Sequence, residues 1–339
     1  MTNDATKNEI ISYERTWSGE LFEYDRFRTE GRGSGGTTDP LQSQDSLILS
    51  KDNAFLFAAN AGSGTISVFR VSGAKLELVE RAPSGGSEPL SIAQTGNLVY
   101  VLNGAAAGSV VGFHWDGRNL RQIPNSTTFL SQTSAGASSI TASPDGTHLV
   151  VTERLTNNID TLAIHPNGTL GPLVVNTSKN PGVFSARFAP NGALIVSETG
   201  PAHVTDGSTI SSYAVLANGT ISPVSQAIAT LGSANCWNAI TPNGKWVYAS
   251  NAGSGSISGF SIGANGTLLP IGTTVVGINP PGSANLDTTI SSDGKYLYTL
   301  NSGTGDIGIF AIQNDGTLIN RGQADGLTAN AGFNGIAAY

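Results

Sequence analysis

The sequence predicts an all-β fold: four-stranded antiparallel units, seven in number, joined in one closed ring. Three observations predict it. A turn resembling Ser-Pro-Asp-Gly recurs six times along the 339 residues. Each turn leads into a run of β-branched and aromatic residues that ends in Asn or Glu. Glycine is abundant, at 43 residues, while charged residues are only 12%. That profile suits many short strands joined by tight turns, and not helices.

The turns are "SKDN" (50–53), "QTGN" (94–97), "SPDG" (143–146), "APNG" (189–192), "TPNG" (241–244) and "SSDG" (291–294). The runs after them are "AFLFAAN", "LVYVLN", "THLVVTE", "ALIVSE", "KWVYASN" and "KYLYTLN". A Gly-rich loop and a second run follow, such as "GTISVFRV" or "GDIGIFAI", and then in four units a turn of the "NGT" type. The Asn-Gly and Asp-Gly pairs are expected to supply positive φ at both central residues of two-residue hairpins. Alternation on the flanking runs has period two, so each unit reads as a four-stranded meander. Repeats of roughly this length and content are propeller blades. The sequence therefore predicts a seven-bladed β-propeller as a single domain over 1–339. Blades 1 to 6 fall within about 44–322, and blade 7 is built from 1–27 plus 332–339, closed by both termini. Closure would remove the open sheet edges. The segment "MTN" aligns with the ends of "YTLN" and "YASN", so blade 7 begins in mid-strand. The expectation is a trimmed chain that has lost a secretion signal, with a cytoplasmic home left open.

Composition narrows the function. The net charge of −7 and the lack of a Lys/Arg run argue against a nucleic-acid partner. No run approaches the ~18 apolar residues of a membrane helix. The single Cys236 and four scattered His residues support no metal site. No cofactor motif is present: "GSGT" lacks the Lys and helix of a phosphate loop, and there is no G-x-S-x-G elbow. A closed ring predicts a self-sufficient monomer acting on a small molecule. Sequons occur at Asn125, Asn167, Asn176, Asn218 and Asn265. Three of them are the "NGT" turn itself, which leaves Asn125 and Asn176 as glycan candidates for a secreted chain.

Two octapeptides, "NAGSGTIS" (60–67) and "NAGSGSIS" (251–258), mark the same corner of two blades. Laid along the chain, that corner gives Asn3, Asn60, Asn103, Glu153, Glu198, Asn251 and Asn301, expected to ring the channel mouth. Asn suits tight turns, so for any single Asn the turn role takes precedence over ligand contact. Glu gains little from such a turn, and Glu153 and Glu198 fall on neighbouring blades. A carboxylate pair can split its pKa values and do acid/base work. The alternative is a structural ion pair with Arg154 or Arg187. A second column, where the innermost strands start, includes Gln44, Phe184, Cys236 and Phe333, with Trp237 and Asp287 one step further in. Arg187 stands where other units carry Ile, Thr or Ala, and a buried Arg needs a partner, either a Glu or a ligand carboxylate or carbonyl. Trp237 offers either core packing or a flat wall for a ring. His203 reads as a solvated loop residue.

Strings such as "ASPDGTHLVVTE", "TPNGKWVYASNAGSGSISGFSI" and "SSDGKYLYTLNSGTGDIGIFAI" resemble the seven-bladed lactonase propellers. That family includes bacterial 6-phosphogluconolactonases and fungal 3-carboxy-cis,cis-muconate cyclases. The resemblance spans essentially the whole chain and implies the propeller fold. The family tends to carry His and Arg-His at the start of the third and fourth innermost strands. Here these read "AGASSI" (135–140) and "GVFSAR" (182–187), and the family's Asn-Arg-Gly loop reads Asn251-Ala252-Gly253. The lost cations disfavour a sugar-phosphate substrate. Glu153 and Glu198 fall where the family commonly has acidic or amide residues.

The leading expectation is an enzyme that opens or closes a ring at the channel mouth. Glu153, Glu198 and Arg187 would be its catalytic residues. Gln44, Asn60, Asn103, Arg154, Phe184, Cys236, Trp237, Asn251, Asp287, Asn301 and Phe333 would line its site. A natural-product cyclase that orients its substrate without a nucleophile is the first alternative. A non-enzymatic extracellular binding propeller is the second.

Overall fold

In the computed structural model, which describes all 339 residues, the recurring turns and runs fold into six sheets of three to five strands plus a two-stranded ribbon. Blade 1 shows the pattern: an inner strand Leu47–Leu49, then Phe55–Asn60, Thr65–Ser72 and an outer strand Lys75–Pro83, each antiparallel to the last. Blades 4, 5 and 6 repeat it with innermost strands Val183–Phe188, Asn235–Ile240 and Asn285–Ile290. Blade 2 starts from Pro89–Thr95, and its outer strand is split in two. Blade 3, which starts from Ala137–Ala142, replaces its outer strand by isolated bridges. The ribbon is Glu9–Arg15 paired with Leu21–Arg28. Residues 1–8 and 327–339 lie outside strands.

The turns differ from the expectation in one respect. In the four turns that end in Gly, only that Gly has positive φ (Gly146 at 71°, Gly192 at 88°, Gly244 at 69°, Gly294 at 69°), and in "SKDN" the fourth residue, Asn53, takes it at 57°. The preceding Asp or Asn does not. Ser143-Pro144-Asp145-Gly146 closes with Gly146 N–H donating to Ser143 O at 2.9 Å. Asp145 Oδ1 then accepts from Ser143 Oγ at 2.6 Å and Thr147 N–H at 3.1 Å. This is a turn with Pro second and Gly fourth, fastened by the Asp side chain. The "NGT" turns work similarly: Asn167, Asn218 and Asn265 each accept from the Thr two residues on.

Alternation along the strands makes each blade two-faced. Phe57 and Ala59 pack toward Val99, Val101 and Phe113 of blade 2. Leu56 and Ala58 pack toward Ile10 and Phe27 of the ribbon. Such cores lie between every consecutive pair of blades, and the ribbon packs on blade 6 through Tyr13 and Leu21. The sheets are thus stacked face to face in a ring.

The channel at the centre of this ring is crossed by residues 41–46. The segment leaves blade 1 after Arg32, whose carbonyl accepts from Gly62 N–H at 3.0 Å, and returns at Ser46, which accepts from Ala59 N–H at 2.9 Å. Between these points it bonds to four further blades. Ser43 Oγ donates to Leu90 O at 2.7 Å, and Ile92 N–H to Asp45 O at 2.9 Å. Gln44 N–H donates to Ser138 O at 3.0 Å. The Gln44 amide spans to blade 5, donating to Asn238 O at 2.7 Å and accepting Asn238 N–H at 3.3 Å. Asp45 pairs with Arg187 of blade 4 at 2.5 Å. Gln42 (φ 49°) and Asp45 (φ 64°) hold left-handed backbone to make the bends, a conformation that costs energy for non-glycine residues. This plug places polar groups on the axis, bonded to the surrounding blades.

Replacing Gln44 by Ala would orphan both backbone groups of Asn238 in a buried setting. The expected loss is about 1–3 kcal/mol of folding stability, measured by chemical denaturation against the parent chain.

Candidate functional site

The predicted corner residues do not ring the mouth. Asn60, Asn103, Glu153, Glu198, Asn251 and Asn301 all close their strands, and all are buried inside the sheets. Each serves as a clasp between its own blade and the chain leaving the previous one. Asn60 donates to Ser67 Oγ at 2.8 Å, and Ser67 in turn holds Thr29 O. Asn251 repeats this with Ser258 and Thr230 O. Asn103 reaches Ser84 O at 3.4 Å, and Asn301 reaches Asn279 at 3.1 Å. Asn3 bonds Ser34 at the matching place beside the ribbon.

The two Glu residues perform the same clasp with a carboxylate. Glu198 accepts from Ser178 and Asn180, which leave blade 3, and from Thr209 and Ser211 of its own blade. Burial pushes its pKa up against those hydrogen bonds. Glu153 accepts from Ser131 N–H at 2.8 Å, Ser131 Oγ at 2.5 Å, Thr156 Oγ1 at 2.6 Å and Asn158 Nδ2 at 3.2 Å. Burial would raise it, but the bonds from Ser131, Thr156 and Asp160 outweigh burial and leave it below the ordinary value. Asp160 stands where other blades have Ser67, Ser211 or Ser258. Burial, and then the Glu153 carboxylate, push its pKa up to about 8. Blade 3 therefore places a carboxyl where blades 1, 4 and 5 place a hydroxyl. Glu153 and Glu198 share no partner, and neither pairs with an Arg. The expected catalytic pair is thus separated into two structural clasps.

Arg187, Gln44 and Asp287 belong to the plug and the channel beneath it. Arg187 pairs with Asp45. Asp287 is pushed up to about 7 by burial and by the charge of Asp45. Phe333 lines a separate apolar cavity beside the ribbon.

What does open at the mouth is a cavity of about 300 Å³ above the plug. It gathers three residues anticipated from sequence, Arg154, Phe184 and Cys236, with four that were not: Asp39, Gln42, Gly182 and Thr199. Arg154 and Thr199 each follow a corner Glu. Their backbone N–H groups are fixed to Gly136 O and Gly182 O, both at 2.8 Å. The glycines are required for space: a Cβ at Gly136 would lie 3.0 Å from Arg154 Cγ, and one at Gly182 would lie 1.8 Å from Thr199 Oγ1. The column one step past the corner was the available signal, hidden behind the corner column itself. Asp39 lies in the long 30–44 connection, whose path no repeat predicts.

The cavity floor is apolar. Phe184 meets Trp237 edge-on at 5.0 Å, beside Cys236 and Leu286. Trp237 is buried and donates Nε1–H to Ser43 O at 2.8 Å, so it supports the floor and presents no open wall. Burial pushes the Cys236 thiol well up, which makes it a poor nucleophile. The walls are charged. Asp39 accepts from Gln42 N–H at 3.0 Å and Asn334 Nδ2 at 3.2 Å. Burial raises it to about 6, with those bonds and the Arg154 charge opposing. Arg154 forms no ion pair with it, and Arg154 Nε is buried without a partner. A carboxylate near neutral poise and an unengaged guanidinium therefore face one cavity with an aromatic floor. No group of three or more His, Cys, Asp or Glu is placed to hold a metal ion.

The model of the family described as "Lactonase, 7-bladed beta-propeller" matches residues 7–119, about a third of the chain. The chain resembles the lactonase propellers. A Bacteroides fragilis protein provisionally assigned as a 6-phosphogluconolactonase aligns at 18% identity over 98% of each chain, with a TM-score of 0.65. The Pseudomonas aeruginosa periplasmic gluconolactonase aligns at 16% identity over 96% of this chain and 97% of its own, with a TM-score of 0.66. A virginiamycin B lyase of Staphylococcus aureus aligns at 15% over 84% and 86%, with a TM-score of 0.58. At these identities the structural likeness establishes a shared fold. A search of curated proteins finds no match. The chain thus shares the propeller fold with these proteins.

Asp160 provides a pH test of the clasp. With its pKa pushed up to about 8, Asp160 keeps its proton in the folded chain, whereas an unfolded Asp releases it near the ordinary value of 3.8. Stability is therefore expected to fall as pH rises through that window. Asp160→Asn, which keeps a donor toward Glu153, should flatten the fall. Denaturation midpoints measured from pH 5 to 9 check it.

Proposed function

We propose that this propeller is a cofactor-independent enzyme that opens or closes a lactone-type ring in the mouth cavity. The observation that carries this reading is the pairing of Asp39 and Arg154 across one cavity above the plug. Asp39, held near pKa 6, is suited to serve as a general base at neutral pH. Its carboxylate takes a proton from water, and the hydroxide oxygen bonds to the ring carbonyl carbon. Arg154 stabilises the oxyanion that forms. The ring C–O bond then breaks, and the departing oxygen takes the proton back from Asp39. Read backwards, the same steps close a ring. Phe184 provides an apolar face for the ring carbons. One guanidinium in a chain of net charge −7 suits a neutral or singly charged substrate better than a sugar phosphate. The solved relatives named as gluconolactonases act as a guide to class only.

The ribbon completes this architecture if it is the outer half of a seventh blade whose inner half comes from both termini, making residues 1–339 one domain. A monomer suffices for such a site. If the chain is secreted, Asn125 is the sequon to carry a glycan, being exposed. The Asn176 amide is engaged by Val174 O, Gly219 O and Ile221 N–H.

The plug supports one second reading, a propeller that binds a small carboxylate or carbonyl compound without turnover. A panel of γ- and δ-lactones separates the two. Under the proposal, turnover rises as pH passes through about 6, where Asp39 loses its proton. Asp39→Asn and Arg154→Ala should each reduce kcat/KM by about 100-fold or more, and Asp39→Asn should abolish that pH limb. Full activity in either variant would overturn the assignment. Ligand binding with no turnover in the parent chain would favour the second reading.

A further inference from the structure

The walls of the mouth cavity differ from blade to blade, and the residue after each corner marks the difference. Arg154 of blade 3 and Thr199 of blade 4 line the cavity, with their N–H groups on Gly136 O and Gly182 O at 2.8 Å. Blade 5 repeats that bond with Ala252 N–H donating to Ala234 O at 3.0 Å. The same backbone position therefore carries a guanidinium, a hydroxyl and a methyl on three consecutive blades. Ala234 and Ala252 are partly buried and pack against the cluster of Phe184, Cys236, Trp237 and Leu286. They extend the apolar floor toward blade 5.

Charge at the cavity is confined to two points, Arg154 and Asp39. On the arc through blades 5 and 6, residues 230–236, 251–256, 279–286 and 301–305 include no charged side chain. Several polar groups on that arc are already engaged. Ser233 Oγ donates to Asp206 Oδ1 at 3.1 Å, and Ser302 Oγ donates to Thr38 O at 2.7 Å. The Asn285 amide donates to Ser250 Oγ at 2.7 Å and Ser256 O at 3.1 Å. A ring whose carbonyl faces Arg154 and Asp39 turns its far side to this arc. Hydroxyls on that side would be buried with few partners, which is unfavourable. A hydrocarbon substituent has no such requirement and gains by covering Phe184 and Cys236.

We propose that the mouth takes a neutral cyclic carbonyl compound bearing a short alkyl chain across the ring from its carbonyl. The chain lies over Phe184 and Cys236, with Ala252 as its wall. The inference rests on the ring-opening reading, under which the compound is an alkyl lactone, and it deepens that reading by naming the substituent. The cavity volume of about 300 Å³ is at the small end for a ligand site, which keeps the chain short.

Calorimetric binding of β-alkylcyclopentanones to the intact chain tests the proposal without turnover, since they carry the carbonyl and the chain but no bond to hydrolyse. Affinity should rise about 3-fold for each carbon from methyl to propyl. The β-hydroxymethyl compound should bind about 10-fold more weakly than the β-ethyl compound of the same size. Ala252→Asn should bring the propyl-to-methyl affinity ratio from about 10 toward 1, and a general loss of stability does not move that ratio. Cys236→Ser, a smaller change in the floor, should lower the same ratio. A flat or undetectable series in the parent chain, or an unchanged ratio in both folded variants, would overturn the proposal. γ-Butyrolactones with the same chains on the γ-carbon separate it from the reading it rests on. Turnover that ignores chain length overturns the alkyl subsite and leaves ring opening standing. A rising ketone series with no lactone turned over does the reverse.

Discussion

Residues 41–46 cross the axis of the ring, and five of the six blades bond to them. A propeller of stacked sheets has its apolar cores between blades, and its inner strands present polar backbone and Ser-rich side chains to the axis. Those groups need partners if water is excluded. The plug supplies them: the Gln44 amide for Asn238, the Asp45 carboxylate for Arg187, and the Ser43 carbonyl for Trp237. Once these bonds form, the height of the floor under the mouth cavity is fixed. Asp39 is fixed too, because it precedes the plug and is tied to it through Gln42 N–H.

The corner clasps are the second constraint. Each joins the end of one strand to the next strand and to the segment arriving from the previous blade. An amide can do this by donating from its NH2 group, as Asn60 and Asn251 do. A carboxylate has only acceptors, so a Glu at this place must be surrounded by donors. Blade 4 surrounds Glu198 with Ser178, Asn180, Thr209 and Ser211. Blade 3 surrounds Glu153 with Ser131, Thr156 and Asn158, and the Asp160 carboxyl beside them has its pKa pushed up by burial and by the Glu153 charge. The departure from Asn is real in the sequence, and its cause is the local supply of donors. The residue after each Glu, Arg154 or Thr199, lines the mouth cavity.

The mouth cavity combines an apolar floor with a few charged groups, the usual composition of a small-molecule site. Its chemistry depends on burial without neutralisation. Asp39 is buried enough to lift its pKa, yet Arg154 is not close enough to form an ion pair. The floor aromatics would be exposed to solvent but for the plug and the Asp39 segment that cover their sides.

The repeat was legible from sequence because hydrophobic alternation and turn residues are local properties. The turns at 143–146, 189–192, 241–244 and 291–294 fell where expected, as did the strands ending in Asn60, Asn103, Glu153, Glu198, Asn251 and Asn301. The direction in which those end residues point was not legible. Alternation assigns a side chain to one face of a strand, but at a corner the strand has ended, and the packing of the previous blade decides what covers it. Arg154, Phe184 and Cys236 could be placed near the mouth because they sit at fixed positions of the repeat. Asp39 and Gln42 could not, because they lie in the 30–44 connection before the first repeat, and that connection acquires its path only by bonding to other blades. Sequence by itself determined the ring of β-sheets, since each blade's pattern is written within about fifty residues. Only the tertiary structure decided which polar groups remain free for chemistry, since that depends on partners brought together from as far as Gln44 and Asn238.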